Sequence, residues 1–181
     1  MNIAIFSSGK GSNAENIIKY FQGKNHKFIV FTDNEDSGVI DIAWSLNVSC
    51  IIFNKYDNIL NALLSNSIDF IILSGYLKLI PADIISNYEN KIINIHPSLL
   101  PKYGGKGMWG MNVHKSVIQN YETESGITIH YVSEKYDEGK IIEQWKCNID
   151  ENDTPEILFK KIRKLELEFY PKCIDRLLSI L

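Results

Sequence analysis

In the run Lys91-Ile92-Ile93-Asn94-Ile95-His96-Pro97, an amide and an imidazole stand two residues apart within an apolar stretch. In extended backbone that spacing puts both side chains on one face. Pro97 and Pro101 bar a helix directly afterwards and keep the preceding residues extended. The pair is therefore expected at the carboxyl end of a strand, opening into a loop. Ligands bind at that end of a parallel sheet, and a histidine there can donate or accept a proton near neutral pH. Asn94 and His96 could also do no more than tie the loop down through backbone hydrogen bonds. A third group is Asp137, in Lys135-Tyr136-Asp137-Glu138-Gly139. A carboxylate facing His96 would favour imidazolium and could take up a proton, directly or through water. A purely turn-forming aspartate fits the segment equally well. His130 reads as a packed or pocket-lining residue, and His26 and His114 as surface or loop positions. No His, Cys and carboxylate spacing suggests a metal site, and no serine sits in a nucleophile elbow.

A second chemistry-bearing stretch lies near the amino end, Ser7-Ser8-Gly9-Lys10-Gly11-Ser12-Asn13-Ala14. Glycines there allow a tight turn, and exposed N–H groups where a helix begins make an anion site suited to a phosphate. The segment also fits the dinucleotide fingerprint G-x-G-x-x-A, with Asp33 available for a ribose. It is not a P-loop, because no later glycine is followed by Lys and Ser or Thr at the required spacing.

These residues need strands and helices to hold them. Asn2 to Phe6, Phe28 to Thr32, Val48 to Phe53, Phe70 to Ser74 and Ile92 to Ile95 are short apolar runs that predict strands. Between them Ser12 to Phe21, Val39 to Leu46, Ile59 to Ser65 and Ala82 to Asn87 predict helices, with Pro81 at or just before the first turn of the last. Such alternation implies a Rossmann-like, doubly wound α/β fold with a mostly parallel sheet. Past Gly126 the pattern changes: Ile127 to Val132 and Ile141 to Ile149 predict an antiparallel pair at the end of the sheet, joined by the polar turn Ser133 to Lys140. A last helix should start at Thr154 as N-cap with Pro155 behind it, carry the stripe Leu158, Ile162, Leu165 and Phe169, and kink or restart at Pro171.

With 181 residues, 45% hydrophobic and 23% charged, the chain has the make-up of one globular domain, residues 1–181. A net charge of -3 argues against a nucleic-acid surface, which needs clustered Lys and Arg, but allows one basic pocket for a small anion. Cys50, Cys147 and Cys173 are scattered and odd in number, as in reduced cytoplasmic proteins. No leader or membrane-length apolar run is visible, so a cytoplasmic protein with no membrane partner is expected.

Asn94-Ile95-His96-Pro97-Ser98-Leu99-Leu100-Pro101-Lys102-Tyr103, together with Ser8-Gly9-Lys10-Gly11-Ser12-Asn13, resembles the signature of the folate-dependent formyltransferases, in order and along essentially the whole chain. Within that family the resemblance is to the branch acting on glycinamide ribonucleotide in purine biosynthesis. It implies direct transfer of a formyl group from 10-formyltetrahydrofolate to the substrate amine, without a metal or a covalent enzyme intermediate. The family's catalytic asparagine, histidine and aspartate fall on Asn94, His96 and Asp137. Its phosphate and nucleotide positions fall on Gly11, Ser12, Asn13, Arg163 and Glu166. The last two share a helix face by their spacing of three. The pterin-lining stretch falls on Gly75-Tyr76-Leu77-Lys78-Leu79-Ile80-Pro81, with Leu77, Lys78, Leu79, Ile80 and Asn94 as folate contacts. The dinucleotide reading gives Asn94 and His96 no role and recedes. A monomer or weak homodimer with small-molecule substrates, and no nucleic acid, is expected.

Three departures from the family pattern stand out. Gly104 to Asn112 is longer and richer in glycine than the usual loop, which predicts mobility and a possible cover by Trp109. Glu138-Gly139 replaces the Gly-Gly common in relatives, and Lys78 a common arginine. Methionyl-tRNA formyltransferase would need a further tRNA-binding domain, and the sugar-nucleotide N-formyltransferases carry a different loop in place of Gly11-Ser12-Asn13. A ligand-binding relative without activity is disfavoured by the presence of Asn94, His96 and Asp137 together.

Overall fold

Apolar runs with few polar positions make the central strands, because a parallel strand is buried on both faces. The computed structural model describes residues 1–54 and 57–181. These form two compact units, Met1–Asn94 and Ile95–Leu181. In the first, β1 (Asn2–Phe6), β2 (Lys27–Thr32), β3 (Ser49–Ile52), β4 (Phe70–Leu73) and the start of β5 (Ile92–His96) pair in the order β3-β2-β1-β4-β5. Every pairing is parallel, with Ile5 opposite Val30 and Ile72, and Leu73 opposite Asn94. β1 and β4 are almost wholly buried, whereas the edge strand β3 is half exposed. Phe6 stacks on Phe31 at 5.1 Å between ring centres and meets Tyr76 edge-on at 5.4 Å, which anchors the carboxyl ends of these strands.

The crossovers are α1 (Ser12–Tyr20), α2 (Val39–Ser45), α3 (Ile59–Ser65) and α4 (Ala82–Asn87). Asn58 caps α3 by accepting from the Asn61 N–H at 2.9 Å. α1 has no side-chain cap; Gly11 precedes it at φ 75°, and a Cβ there would lie 2.7 Å from Val39. Only glycine meets both demands.

The second unit holds α5 (Met111–Gln119), β6 (Glu124–Tyr131), β7 (Ile141–Asn148) and α6 (Pro155–Leu178). β6 and β7 form the expected antiparallel pair, with an irregularity between Ile129 and His130 of the kind that re-aims side chains. Thr154 caps α6 from its side chain and Pro155 occupies its first turn. Trp145 of β7 stacks on Phe169 of α6 at 4.7 Å.

Three expectations need correction. α6 runs without interruption through Pro171 and does not restart there. The hydrogen bond lost to Pro171 is offset by burial of Tyr170, Cys173, Ile174 and Leu178 around it. Residues 111–112, read as loop, belong to the unforeseen helix α5, whose Val113 and Val117 are buried one turn apart. His114 on that helix is 1% exposed and packs edge-on against Phe159, so it is not a surface position. His26 does lie in a loop.

Candidate functional site

His96 ends β5 and is 4% exposed. Its Nε2 lies 2.7 Å from the Tyr103 carbonyl. A carbonyl only accepts, so Nε2 carries the hydrogen and Nδ1 is the nitrogen left for proton exchange. Nδ1 faces Asp137 Oδ2 at 3.4 Å, and His130 Nε2 faces the other oxygen, Oδ1, at 3.6 Å. His130 in turn donates from Nδ1 to the Tyr131 carbonyl at 2.8 Å. Oδ2 also accepts from the Gly105 N–H at 2.9 Å. Asp137 holds this place from a left-handed turn position, φ 57°, which aspartate tolerates better than most residues. Gly139 behind it has no alternative, since a Cβ would lie 1.7 Å from the Tyr131 carbonyl oxygen.

Burial and charge oppose each other at this cluster. Burial would by itself raise the Asp137 carboxyl, but His130, His96 and the Gly105 N–H together hold it below the usual carboxylate range. For His96, burial prevails: its pKa falls below the ordinary value, although Asp137 and the Tyr103 carbonyl act against the shift and His130 acts with it. Asp137 does act to favour the imidazolium, and burial of His96 works against it. At Nδ1 His96 faces the Asp137 carboxylate, and a proton there is opposed by burial and favoured by Asp137. His114 is pushed further, to about 4, by burial and by repulsion from His96. Its Nδ1 is buried and has no hydrogen-bond partner among the described residues.

Elsewhere in the second unit, Arg163 Nη1 donates to Glu166 Oε2 at 2.8 Å on α6, as their spacing implied. Trp109 is 54% exposed. Among the described residues, no group of three or more His, Cys, Asp and Glu side chains could hold a metal ion.

In the first unit, the uncapped start of α1 at Gly11, Ser12 and Asn13 has the form of an anion site. Beside it, Asp33 accepts from Ser8 Oγ at 2.6 Å and pairs with Lys78 Nζ at 2.7 Å, while Ser37 Oγ donates to the Gly9 carbonyl at 2.7 Å. Asp33 thus links the glycine loop to the Leu77 to Ile80 segment and is itself engaged by both. Its carboxyl lies below the usual range, because Lys78 and Ser8 outweigh burial. Leu77 and Leu79 are about half exposed, as a surface for a flat apolar ligand would be, while Ile80 is buried in the core. Asn94 is partly buried on β5, two residues before His96.

The structure brings His96 and Asp137 together as expected, and Arg163 with Glu166. Reading the sequence did not find His130 as a member of the cluster, nor the Tyr103 carbonyl, the Gly105 N–H or buried His114. His130 left one signal: it alternates with Thr128 on a strand running straight into the Asp137 turn.

A family model described as formyl transferase matches residues 1–174. Among curated proteins, the phosphoribosylglycinamide formyltransferase of Bacillus subtilis (strain 168) is 35% identical over 189 residues, covering 98% of this chain and 94% of that protein. The chloroplastic protein of that name from Arabidopsis thaliana is 35% identical over 95% of this chain. This chain spans about three-fifths of the length of the chloroplastic relatives, 63% for Arabidopsis thaliana and 60% for Vigna unguiculata. Among solved structures, phosphoribosylglycinamide formyltransferase from Bacillus halodurans superposes with a TM-score of 0.90 at 32% identity, covering 99% of this chain and 96% of that one.

Proposed function

This chain belongs to the formyl transferase family, and from that premise we infer that it transfers the formyl group of 10-formyltetrahydrofolate to the amino group of glycinamide ribonucleotide. The observation that carries the reading is the buried His96 with Nδ1 at 3.4 Å from an ionised Asp137. The attacking amine forms a bond to the formyl carbon, and the bond from that carbon to the folate nitrogen breaks. The amine loses a proton and the folate nitrogen gains one, so no outside reagent is needed. Negative charge builds on the formyl oxygen as the amine attacks. Asn94 supplies a neutral donor to it, and His96, once protonated at Nδ1, a cationic one. Asp137 stabilises that imidazolium and relays the amine's proton, through a bound water.

Gly11, Ser12 and Asn13 take the nucleotide phosphate at the start of α1, and Arg163 with Glu166 serves the phosphate and glycinamide groups. Leu77, Lys78, Leu79, Ile80 and Asn94 contact the folate; the exposure of Leu77 and Leu79 supports this. Residues 1–181 act as one formyltransferase domain on small molecules, in the cytoplasm, as a monomer or weak homodimer. No helix among the described residues is long and apolar enough to cross a membrane.

The test is a spectrophotometric assay of folate product, with glycinamide ribonucleotide and an amino-sugar nucleotide compared as acceptors. Turnover with glycinamide ribonucleotide alone is expected. Turnover only with the amino sugar would leave the chemistry and replace the acceptor, and none with either would remove the reading.

A further inference from the structure

Tyr103 adopts φ 58°, a left-handed conformation that costs a bulky residue energy and persists only where its surroundings impose it. What that conformation achieves is the direction of one carbonyl, which accepts from His96 Nε2 at 2.7 Å. Three contacts hold it. The Tyr103 hydroxyl donates to Glu122 Oε1 at 2.9 Å, and Lys102 Nζ reaches the same oxygen at 2.8 Å. Ser98 Oγ donates to the Lys102 carbonyl at 2.7 Å, fixing the peptide just before. Gly104 follows so closely that a Cβ there would lie 2.5 Å from Leu100 Cδ2 and 3.2 Å from Asp137 Cβ. Glu122 lies beyond α5, in the turn before β6, and meets this segment through the Tyr103 hydroxyl and Lys102 Nζ.

We propose that Tyr103 and Glu122 are positioning residues for His96: the Glu122 carboxylate grips the Tyr103 phenol, and the Tyr103 carbonyl thereby pins the ring proton on Nε2 and leaves Nδ1 facing Asp137. Without that acceptor, either nitrogen of a neutral ring could carry the hydrogen. A ring protonated at Nδ1 would donate to Asp137 and have nothing left with which to take up the amine's proton on that side. The other charged or titratable groups acting on His96 are Asp137 on the β6 to β7 turn, His130 on β6 and His114 on α5. Asp137 faces Nδ1, whereas the Tyr103 carbonyl is the hydrogen-bond acceptor at Nε2, so the tautomer rests on Tyr103. The carbonyl also favours the imidazolium, so its release lowers the His96 pKa further. Glu122 is held charged by Lys102 and Tyr103, and the Tyr103 phenol stays protonated because burial and Glu122 raise it, so the grip persists through the neutral range.

This rests on the role of His96 given under Proposed function, and its experiment reads the ring itself as well as turnover. Histidine side-chain nitrogen NMR of the intact chain should show His96 as the Nε2-protonated tautomer above its pKa. Tyr103→Phe and Glu122→Ala should each mix the tautomers, lower the titration midpoint by about half a pH unit, and cut kcat about 10-fold with KM within about twofold. Glu122→Gln keeps an acceptor for the phenol and should restore the single tautomer. Tyr103 and Glu122 are only partly buried, so these variants should fold, as circular dichroism would verify. A His96 spectrum unchanged in both Tyr103→Phe and Glu122→Ala overturns the proposal, whatever happens to kcat. An unaltered protein that transfers no formyl group sinks the functional reading alone, since the ring spectrum still decides the positioning role.

Discussion

Asp33 and Asp137 are two nearly buried aspartates at loop positions beyond strands, with side chains 6% and 10% exposed, both held below the usual carboxylate range. Their partners differ. Asp33 faces Lys78, a permanent cation whose own side chain is 62% exposed, and the hydroxyl of Ser8. Asp137 faces two buried imidazoles, those of His96 and His130. The first is a fixed tie between two segments; the proposed function asks the second to change charge during a proton transfer. Equal burial and equal pKa direction therefore do not imply equal function, and the identity of the counter-ion separates the two.

The widest separation is expected in turnover. Asp137→Asn should lower kcat about 1,000-fold while nucleotide binding, followed by calorimetry, stays near normal. Asp33→Asn should lower kcat less than about 10-fold. Equal losses from the two would erase the distinction, and parallel loss of binding and turnover in Asp137→Asn would make that carboxylate structural.

Acid should divide the regions next. His96 and His114 have folded-state pKa values below their unfolded value of 6.5, so the folded state binds fewer protons and stability is lost as pH falls below 6.5. His114 continues to cost stability down to about 4, on the order of 3 kcal/mol in all. Asp33 and Asp137, with lowered folded values, contribute stability that disappears only below their unfolded value of 3.8. Urea midpoints between pH 7.5 and 5 should therefore fall, with hydrogen exchange rising first in residues 95–181. His114→Phe, which keeps a ring against Phe159, should flatten that dependence. A midpoint that stays level in the unaltered protein would contradict it.

The smallest effect concerns the exposed end of the Lys78 pair. Lys78→Met at pH 7 should cost about 1 kcal/mol or less in urea unfolding, because a cation this exposed keeps most of its hydration. A much larger loss would mean that Asp33 depends on its counter-ion as strictly as Asp137 does.

Much of this was legible in the chain. Apolar runs fixed β1 to β5, and Asn94 and His96 fell on one face of β5 because strand alternation admits no other outcome. The pairing of Asp137 with His96 was visible only as a possibility, since it depends on where a turn far along the chain comes to rest. α5 was illegible because it follows a glycine-rich run, starts at Gly110 without a side-chain cap, and shows few apolar positions beyond Val113, Val117 and Ile118. His114 was misread for the same reason: once its segment was taken as loop, nothing marked it as buried. The lowered pKa of His96 could not be read at all, because it follows from burial, which a sequence does not display for one polar residue. At Pro171 the expected restart lost to the packing around it, and α6 continues as one helix.

Gly139 touches the Tyr131 carbonyl, and its neighbour Glu138 has a side chain 62% exposed. In a library covering every substitution at both positions, Glu138 should accept nearly all replacements and Gly139 none. Adjacent codons would then drift at opposite rates under selection, and the slow one marks the turn that delivers Asp137.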